Sequence, residues 1–184
     1  RLVVNASVYR IKWDGIPVFI NAIPACGFQV QVNAGEAISQ GVEFETTYSV
    51  TDKLQVGLGA SYVNAELSKD SASLGDKGTR LPGSPEWNAH ASVEYEFYLG
   101  DRASFIRADY AYIDSYHDDI GTAFPEVGGY GTLSMRAGTN IDNFDIDFYG
   151  MNLTNVDDLM AVQFGAEVFR LTPRTLGLEV KYSF

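Results

Sequence analysis

Three groups of side chains in this sequence are of types that do chemistry. The first is the run Asp114, Tyr116, His117, Asp118 and Asp119. An imidazole beside carboxylates has the donors for a metal, but the spacing of His117-Asp118-Asp119 fits no metal motif, so none is expected. Capture of a solute by a loop fits better, with Tyr116, His117, Asp118 and Asp119 as contacts and Arg80, in an earlier loop, facing any anionic group. The second group is a set of acids, Glu43, Glu45, Glu94, Glu96, Asp109, Asp145, Asp147 and Glu179, with Arg107, Arg136 and Lys181 among them. Taken singly, these are a solvated face with cross-strand ion pairs of small value. Taken together, they describe one hydrated wall. The third group is scattered. His90 has no Ser or Cys nucleophile tied to it. Cys26 is a lone thiol in a turn-rich stretch, read as packed or idle. Gly57-Leu58-Gly59 precedes no helix, so it is no phosphate cradle; glycines there relieve crowding in a strand. Nothing here performs covalent chemistry; neither an enzyme nor a cofactor is expected.

These residues need elements to position them, and the pattern is period two. The clearest case is the last stretch. Leu176, Leu178, Val180, Tyr182 and Phe184 fall on one face of a strand, opposite Thr175, Gly177, Glu179, Lys181 and Ser183. The same alternation gives about eight strands. They begin near Leu2, Phe28 (with a break near Gly35), Leu54, Trp87, Ile106, Leu133, Phe144 and Thr175. In the first, Tyr9, Ile11 and Trp13 are set on one face and Arg10 and Lys12 on the other. Tight turns at Thr51-Asp52-Lys53, Leu99-Gly100-Asp101-Arg102 and Ile141-Asp142-Asn143 alternate with long polar connections. That rhythm predicts an up-and-down antiparallel meander with long loops at one end.

Composition narrows the class. The chain has 184 residues and is 46% hydrophobic, yet no run approaches the ~18 apolar residues of a spanning helix. Aromatics reach 13%, and Trp13, Tyr62, Trp87, Tyr110, Tyr112, Tyr182 and Phe184 lie near strand ends. Rings at those positions predict girdles at headgroup depth, and the uncharged strand centres predict contact with lipid. A soluble sandwich also alternates but shows no such long and short rhythm. A net charge of −11 argues against nucleic acid, because no basic patch displaces phosphate counterions. The chain opens at Arg1-Leu2-Val3-Val4, already apolar, and is expected to be part of a longer polypeptide.

Several segments resemble one family. Tyr9-Arg10-Ile11-Lys12-Trp13-Asp14, Gly41-Val42-Glu43-Phe44-Glu45, Leu81-Pro82-Gly83-Ser84-Pro85 before Glu94-Tyr95-Glu96-Phe97, Asn152-Leu153-Thr154-Asn155 and the closing Tyr182-Ser183-Phe184 occur in its order. Together they resemble the carboxyl-terminal part of the β-barrel of a TonB-dependent outer-membrane receptor. The resemblance implies an all-β, antiparallel, up-and-down transmembrane β-barrel of ~22 strands, of which residues 1–184 supply about eight and no plug domain. It implies a bacterial outer-membrane location and active uptake of a scarce bulky solute such as a siderophore. The implied partners are outer-membrane lipid, the plug and remaining strands of the same receptor, the TonB energy-coupling protein through the amino-terminal part, and the barrel-assembly machinery through the strand ending Phe184. The acids and cations of the second group then face the lumen. In that setting the glycosylation pattern Asn152-Leu153-Thr154 is idle. Two alternatives stay open: a self-contained eight-stranded barrel with a structural or adhesive role, and a soluble ligand-binding barrel.

Overall fold

A computed structural model describes residues 1–23, 27–33, 35–72, 74–118, 125–163 and 167–184. Among them are fourteen strands: β1 (Leu2–Asp14), β2 (Pro17–Ile23), β3 (Phe28–Asn33), β4 (Glu36–Ser49), β5 (Leu54–Leu67), β6 (Trp87–Leu99), β7 (Arg102–Ile113), β8 (Tyr116–His117), β9 (Glu126–Val127), β10 (Tyr130–Ile141), β11 (Phe144–Met151), β12 (Leu159–Gln163), β13 (Glu167–Arg170) and β14 (Thr175–Tyr182). Eight of them form one antiparallel sheet in the order β1-β4-β5-β6-β7-β10-β11-β14. The remaining six pair as three hairpins inside the long connections, β2 with β3, β8 with β9 and β12 with β13. Sequence alternation finds the eight wall strands and the break before β4. It joins β3 to β4 as one interrupted strand, whereas β3 pairs with β2 in a separate hairpin, and it reads β2, β8, β9, β12 and β13 as loops, because strands of two to seven residues carry too few alternations to register.

Tight turns close one end. Between β4 and β5, the Thr51 hydroxyl accepts the amides of Lys53 (3.1 Å) and Leu54 (3.0 Å), and the Val50 amide donates to the Leu54 carbonyl at 2.8 Å. Gly100, at φ 66°, takes the left-handed position between β6 and β7. The sheet does not close on itself: β1 pairs only with β4 and β14 only with β11. Both outer edges therefore carry unsatisfied backbone groups, which lipid cannot satisfy.

The register separates two faces. Ser7, Glu43 and Ser61 are cross-strand neighbours, as are Glu45, Gly59 and His90, and Asp147 and Glu179. The opposite face is uncharged through the strand centres. It carries Val4, Phe44, Leu58, Val93, Ile106, Met135, Ile146, Phe148 and Leu178, and it is bare: Phe148 is 65% exposed and Leu178 55%. The small buried core sits elsewhere. Ile16, Ala37, Leu67 and Leu74, flanked by Val32 and Leu81, pack where the long connections after β1 and β5 meet. A sheet with no apolar interior and an uncovered apolar face has hydrocarbon as its missing solvent.

One facing expectation is overturned. Along β1 the pairing runs without a shift from Leu2↔Tyr48 to Asp14↔Glu36. Leu2, Val4, Ala6 and Val8 lie on the apolar face, so Arg10 and Lys12 continue that face and Tyr9, Ile11 and Trp13 lie on the charged one. The Tyr9 ring rests over Gly41 on the charged face. The aromatic end of β1 alone favours the other phase, whereas the phase of the strand is set by its apolar half, which pairs with Val42 and Phe44.

Candidate functional site

The charged face holds two open hollows. The larger, about 940 Å³, lies toward the tight turns among Glu94, Glu96, Arg107, Arg136, Asp145, Asp147, Glu179 and Lys181. Its guanidiniums are clamped by carboxylates of their own and nearby strands. Arg107 Nε donates to both Asp109 carboxylate oxygens (3.0 and 2.9 Å), its Nη2 donates to Oδ1 (2.6 Å), and its Nη1 reaches Glu94 at 3.2 Å. Arg136 joins β10 to β11 and β14 through Asp147 (2.8 Å) and Glu179. Without Arg136 the acids Asp147 and Glu179, directly opposite each other, would repel. Asp145 accepts from the Asn140 amide at 2.9 Å. The second hollow, about 660 Å³, is less charged. Asn5, Ser7, Glu43, Glu45, Asn88, His90, Tyr130 and Thr132 line it, and the Ser7 hydroxyl donates to Glu43 at 2.9 Å. The sequence-assigned wall residues Glu43, Glu45, Glu94, Glu96, Arg107, Asp109, Arg136, Asp145, Asp147 and Glu179 thus share one face.

The loop residues are brought together differently from expectation. Asp118 accepts the backbone amide of Val162 at 2.9 Å, and the Tyr116 hydroxyl donates to the Met160 carbonyl at 3.2 Å. Both side chains pin hairpin β12–β13 against β8–β9. Burial, followed by the neighbouring Asp118 and Tyr130, pushes the Tyr116 phenol up from its ordinary value. His117 faces Glu126 at 3.7 Å, and its carbonyl accepts the Gly83 amide at 2.8 Å, tying in the loop before β6. The buried His117 Nδ1 has no hydrogen-bond partner among the described residues. Arg80 is held within its own loop by Glu86 (2.9 Å) and the Ser84 carbonyl (3.2 Å). Asp119 and Cys26 lie outside the described residues. Among the described residues no group of three metal-ligating side chains converges.

Asn152, which the sequence offers only as part of a family segment and an idle glycosylation pattern, has a structural role. Its buried amide donates to the carbonyls of Val156 (2.9 Å) and Thr172 (3.0 Å), and its oxygen accepts the Val156 amide (2.9 Å). It staples the start of the last long connection to its end. The signal was a lone Asn at a strand end, which the glycosylation pattern masked.

Aromatics gather at two levels of the apolar face. The Tyr62 and Trp87 rings pack at 5.0 Å, tilted by 48°, near the long loops, where Tyr110 and Tyr112 also lie. Phe144, Tyr182 and Phe184 cluster at 4.9 and 5.6 Å near the tight turns. Tyr95 and Phe97, stacked at 5.8 Å, join that second level. Trp13, on the charged face, joins neither.

Comparison with known proteins agrees with this architecture. The family described as TonB dependent receptor-like, beta-barrel matches residues 1–153. The metal-pseudopaline receptor CntO of Pseudomonas aeruginosa is 28% identical over 138 residues, 68% of this chain. The chain spans 19% of that relative's length. The ferric yersiniabactin uptake receptor FyuA of Yersinia pestis superposes over 100% of the chain and 28% of its own length, with TM-score 0.83 and 20% identity. The copper transporter OprC covers 100% of the chain and 29% of itself, at TM-score 0.75 and 19% identity. An open sheet that hides no apolar face and whose matches span some four times its length is a section of a larger wall, and the chain belongs to the TonB-dependent receptor β-barrel family of the Gram-negative outer membrane.

Proposed function

We propose that residues 1–184 form the carboxyl-terminal wall and extracellular loops of a receptor that takes a metal complex, such as a metal–siderophore, across the outer membrane with energy delivered through TonB. One observation carries this: an eight-stranded sheet with a charge-free, uncovered face and two unpaired edges, in a chain matched by the receptor-barrel family over residues 1–153. The names of the relatives, receptors for metal-pseudopaline and ferric yersiniabactin, supply the solute class.

In this reading the unpaired edges of β1 and β14 meet the other strands of the receptor. The charged face looks into the lumen and meets a plug carried by the rest of the protein. The β8–β9 and β12–β13 hairpins, the Arg80 loop and Asp119 form part of the solute vestibule. Tyr62, Trp87, Tyr110 and Tyr112 sit at the outer headgroup level, Tyr182 and Phe184 at the inner one, and β14, with Ser183 and Phe184 after it, is the segment the barrel-assembly machinery engages. A self-contained eight-stranded barrel is not favoured, because β1 and β14 do not pair with each other.

The test is accumulation of isotope-labelled metal complexes by cells with and without the full receptor, each with and without TonB. Uptake of one complex should need both. Uptake that survives loss of TonB would overturn the energised reading, and identical uptake of every complex without the receptor would overturn transport.

A further inference from the structure

We infer that the solute passing this wall is a metal complex without net negative charge, and that Glu43 and Glu45 are the side chains that turn anionic complexes away. This rests on the transport reading above and narrows its substrate class. The register shows how unevenly charge is spread along the charged face. Arg107 on β7 and Arg136 on β10 stand opposite each other. Between that row and the long loops, the charged face of the eight wall strands carries no Lys or Arg. Lys181 lies on the other side of the row, toward the tight turns, opposite Asp145. The loop-side half forms the hollow of about 660 Å³, where Asn5, Ser7, Asn88 and Thr132 surround the two glutamates with uncharged groups.

Both glutamates are exposed and keep their charge unneutralised among the described residues. Glu43 holds only the Ser7 hydroxyl, and no hydrogen bond or ion pair engages the Glu45 side chain. The neighbouring strand does not screen them. On that face β5 carries only Gly57, Gly59 and Ser61 across from Thr47, Glu45 and Glu43. In the row of Glu45, the His90 ring overhangs the glycine: a Cβ at Gly59 would fall 2.1 Å from its Cε1. Cations elsewhere do not compensate. Arg107 and Arg136 are each clamped by two carboxylates. In the loops above, Lys69, Arg80 and Arg170 each hold one, which leaves Lys77 and Arg174. Arg80, the side chain the sequence sets before an anionic group, is therefore already neutralised. A cleft lined by one sign of charge focuses its field into the water it encloses and repels solutes of that sign. Amine or amide donors on an uncharged or cationic complex instead find carboxylate acceptors, the stronger class of hydrogen bond.

The test gives cells with and without the full receptor a panel of radiolabelled iron complexes: a cationic and an uncharged tris-hydroxamate and a trianionic tris-catecholate. It is run at mildly alkaline pH, where imidazole is ordinarily neutral. Receptor-dependent uptake of the cationic or uncharged complex should exceed that of the trianionic one by on the order of ten-fold or more. The double variant E43Q/E45Q should lose most of that preference, and E43D/E45D, which keeps both charges, should retain it. Wild-type uptake of the trianionic complex equal to or above the others would overturn the inference while leaving the transport reading intact. Gln variants that change uptake of every complex alike would also overturn it, as would Asp variants that behave like the Gln ones; both are the mark of glutamates that fit against a plug by shape. Uptake of no complex beyond that of receptor-free cells would overturn the transport reading and this inference together.

Discussion

At the scale of single residues, the loop cluster that looks most like a binding constellation is first a set of fasteners. Asp118 spends its carboxylate on the Val162 amide, and Val162 is buried. A hydrogen bond to a charged acceptor contributes ~1.5–3 kcal/mol, so Asp118→Ala should loosen β12–β13 by about that much. The check is amide exchange at Val162, which should quicken by on the order of ten-fold or more; an unchanged rate would mean that this bond holds nothing. Tyr116 gives a pH prediction. Its folded pKa lies above the ordinary value of 10.0, with burial as the main cause. The unfolded phenol therefore ionises first, so the contribution of Tyr116 is fully present below pH 10.0 and is lost as pH rises through the higher folded value. Phenolate absorbance at a Tyr116-only reporter, followed beside exchange at Val162, should show both changes above that pH. Asn152 teaches the same lesson from burial: its amide is satisfied on three sides by backbone.

At the scale of elements, close approach between strands decides which glycines are replaceable. A Cβ at Gly41 would strike the Tyr62 carbonyl, which is backbone, as well as the Tyr9 ring. A Cβ at Gly59 would strike only the His90 imidazole, the far end of a side chain. Gly41→Ala should cost ~1–3 kcal/mol, since β4 and β5 must part, while Gly59→Ala should cost less because His90 can swing toward the open hollow. Urea unfolding of the receptor in vesicles would rank them, and equal costs would refute the distinction. The wall strands were legible because eight to fourteen residues of alternation leave little ambiguity. The phase of β1 was not. Its aromatics and its cations both occupy the upper half, and alternation alone does not say which of two mixed faces meets lipid. Only pairing with Val42 and Phe44 settles it, and that places Trp13 on the charged face.

For the whole molecule, the governing fact is that the main sheet has no interior. Val93 sits at the centre of β6 on the apolar face, with Glu94 behind it on the charged face in contact with Arg107. Val93→Arg near the bilayer midplane should cost ~2–4 kcal/mol in vesicles, whereas Glu94→Gln, with one ion pair to lose, should cost about 1 kcal/mol or less. Equal effects in a folding assay would mean that the faces are assigned the wrong way round. The free edges of β1 and β14 fit the same picture, because a wall of this kind is stable only where every ladder finds a neighbour.

The sequence by itself determined the class: period-two alternation with uncharged strand centres, aromatic ends and a long–short loop rhythm admits few solutions besides a membrane barrel. It also determined which charged residues share a wall, since a regular ladder preserves parity from strand to strand. Tertiary structure alone decided the phase of β1, the fastening of the long loops by Tyr116, Asp118 and Asn152, and the small core around Leu67. Each of these depends on contacts between residues far apart in the chain. Local pattern constrains a residue's own strand, and it says nothing of which backbone amide a distant carboxylate will meet.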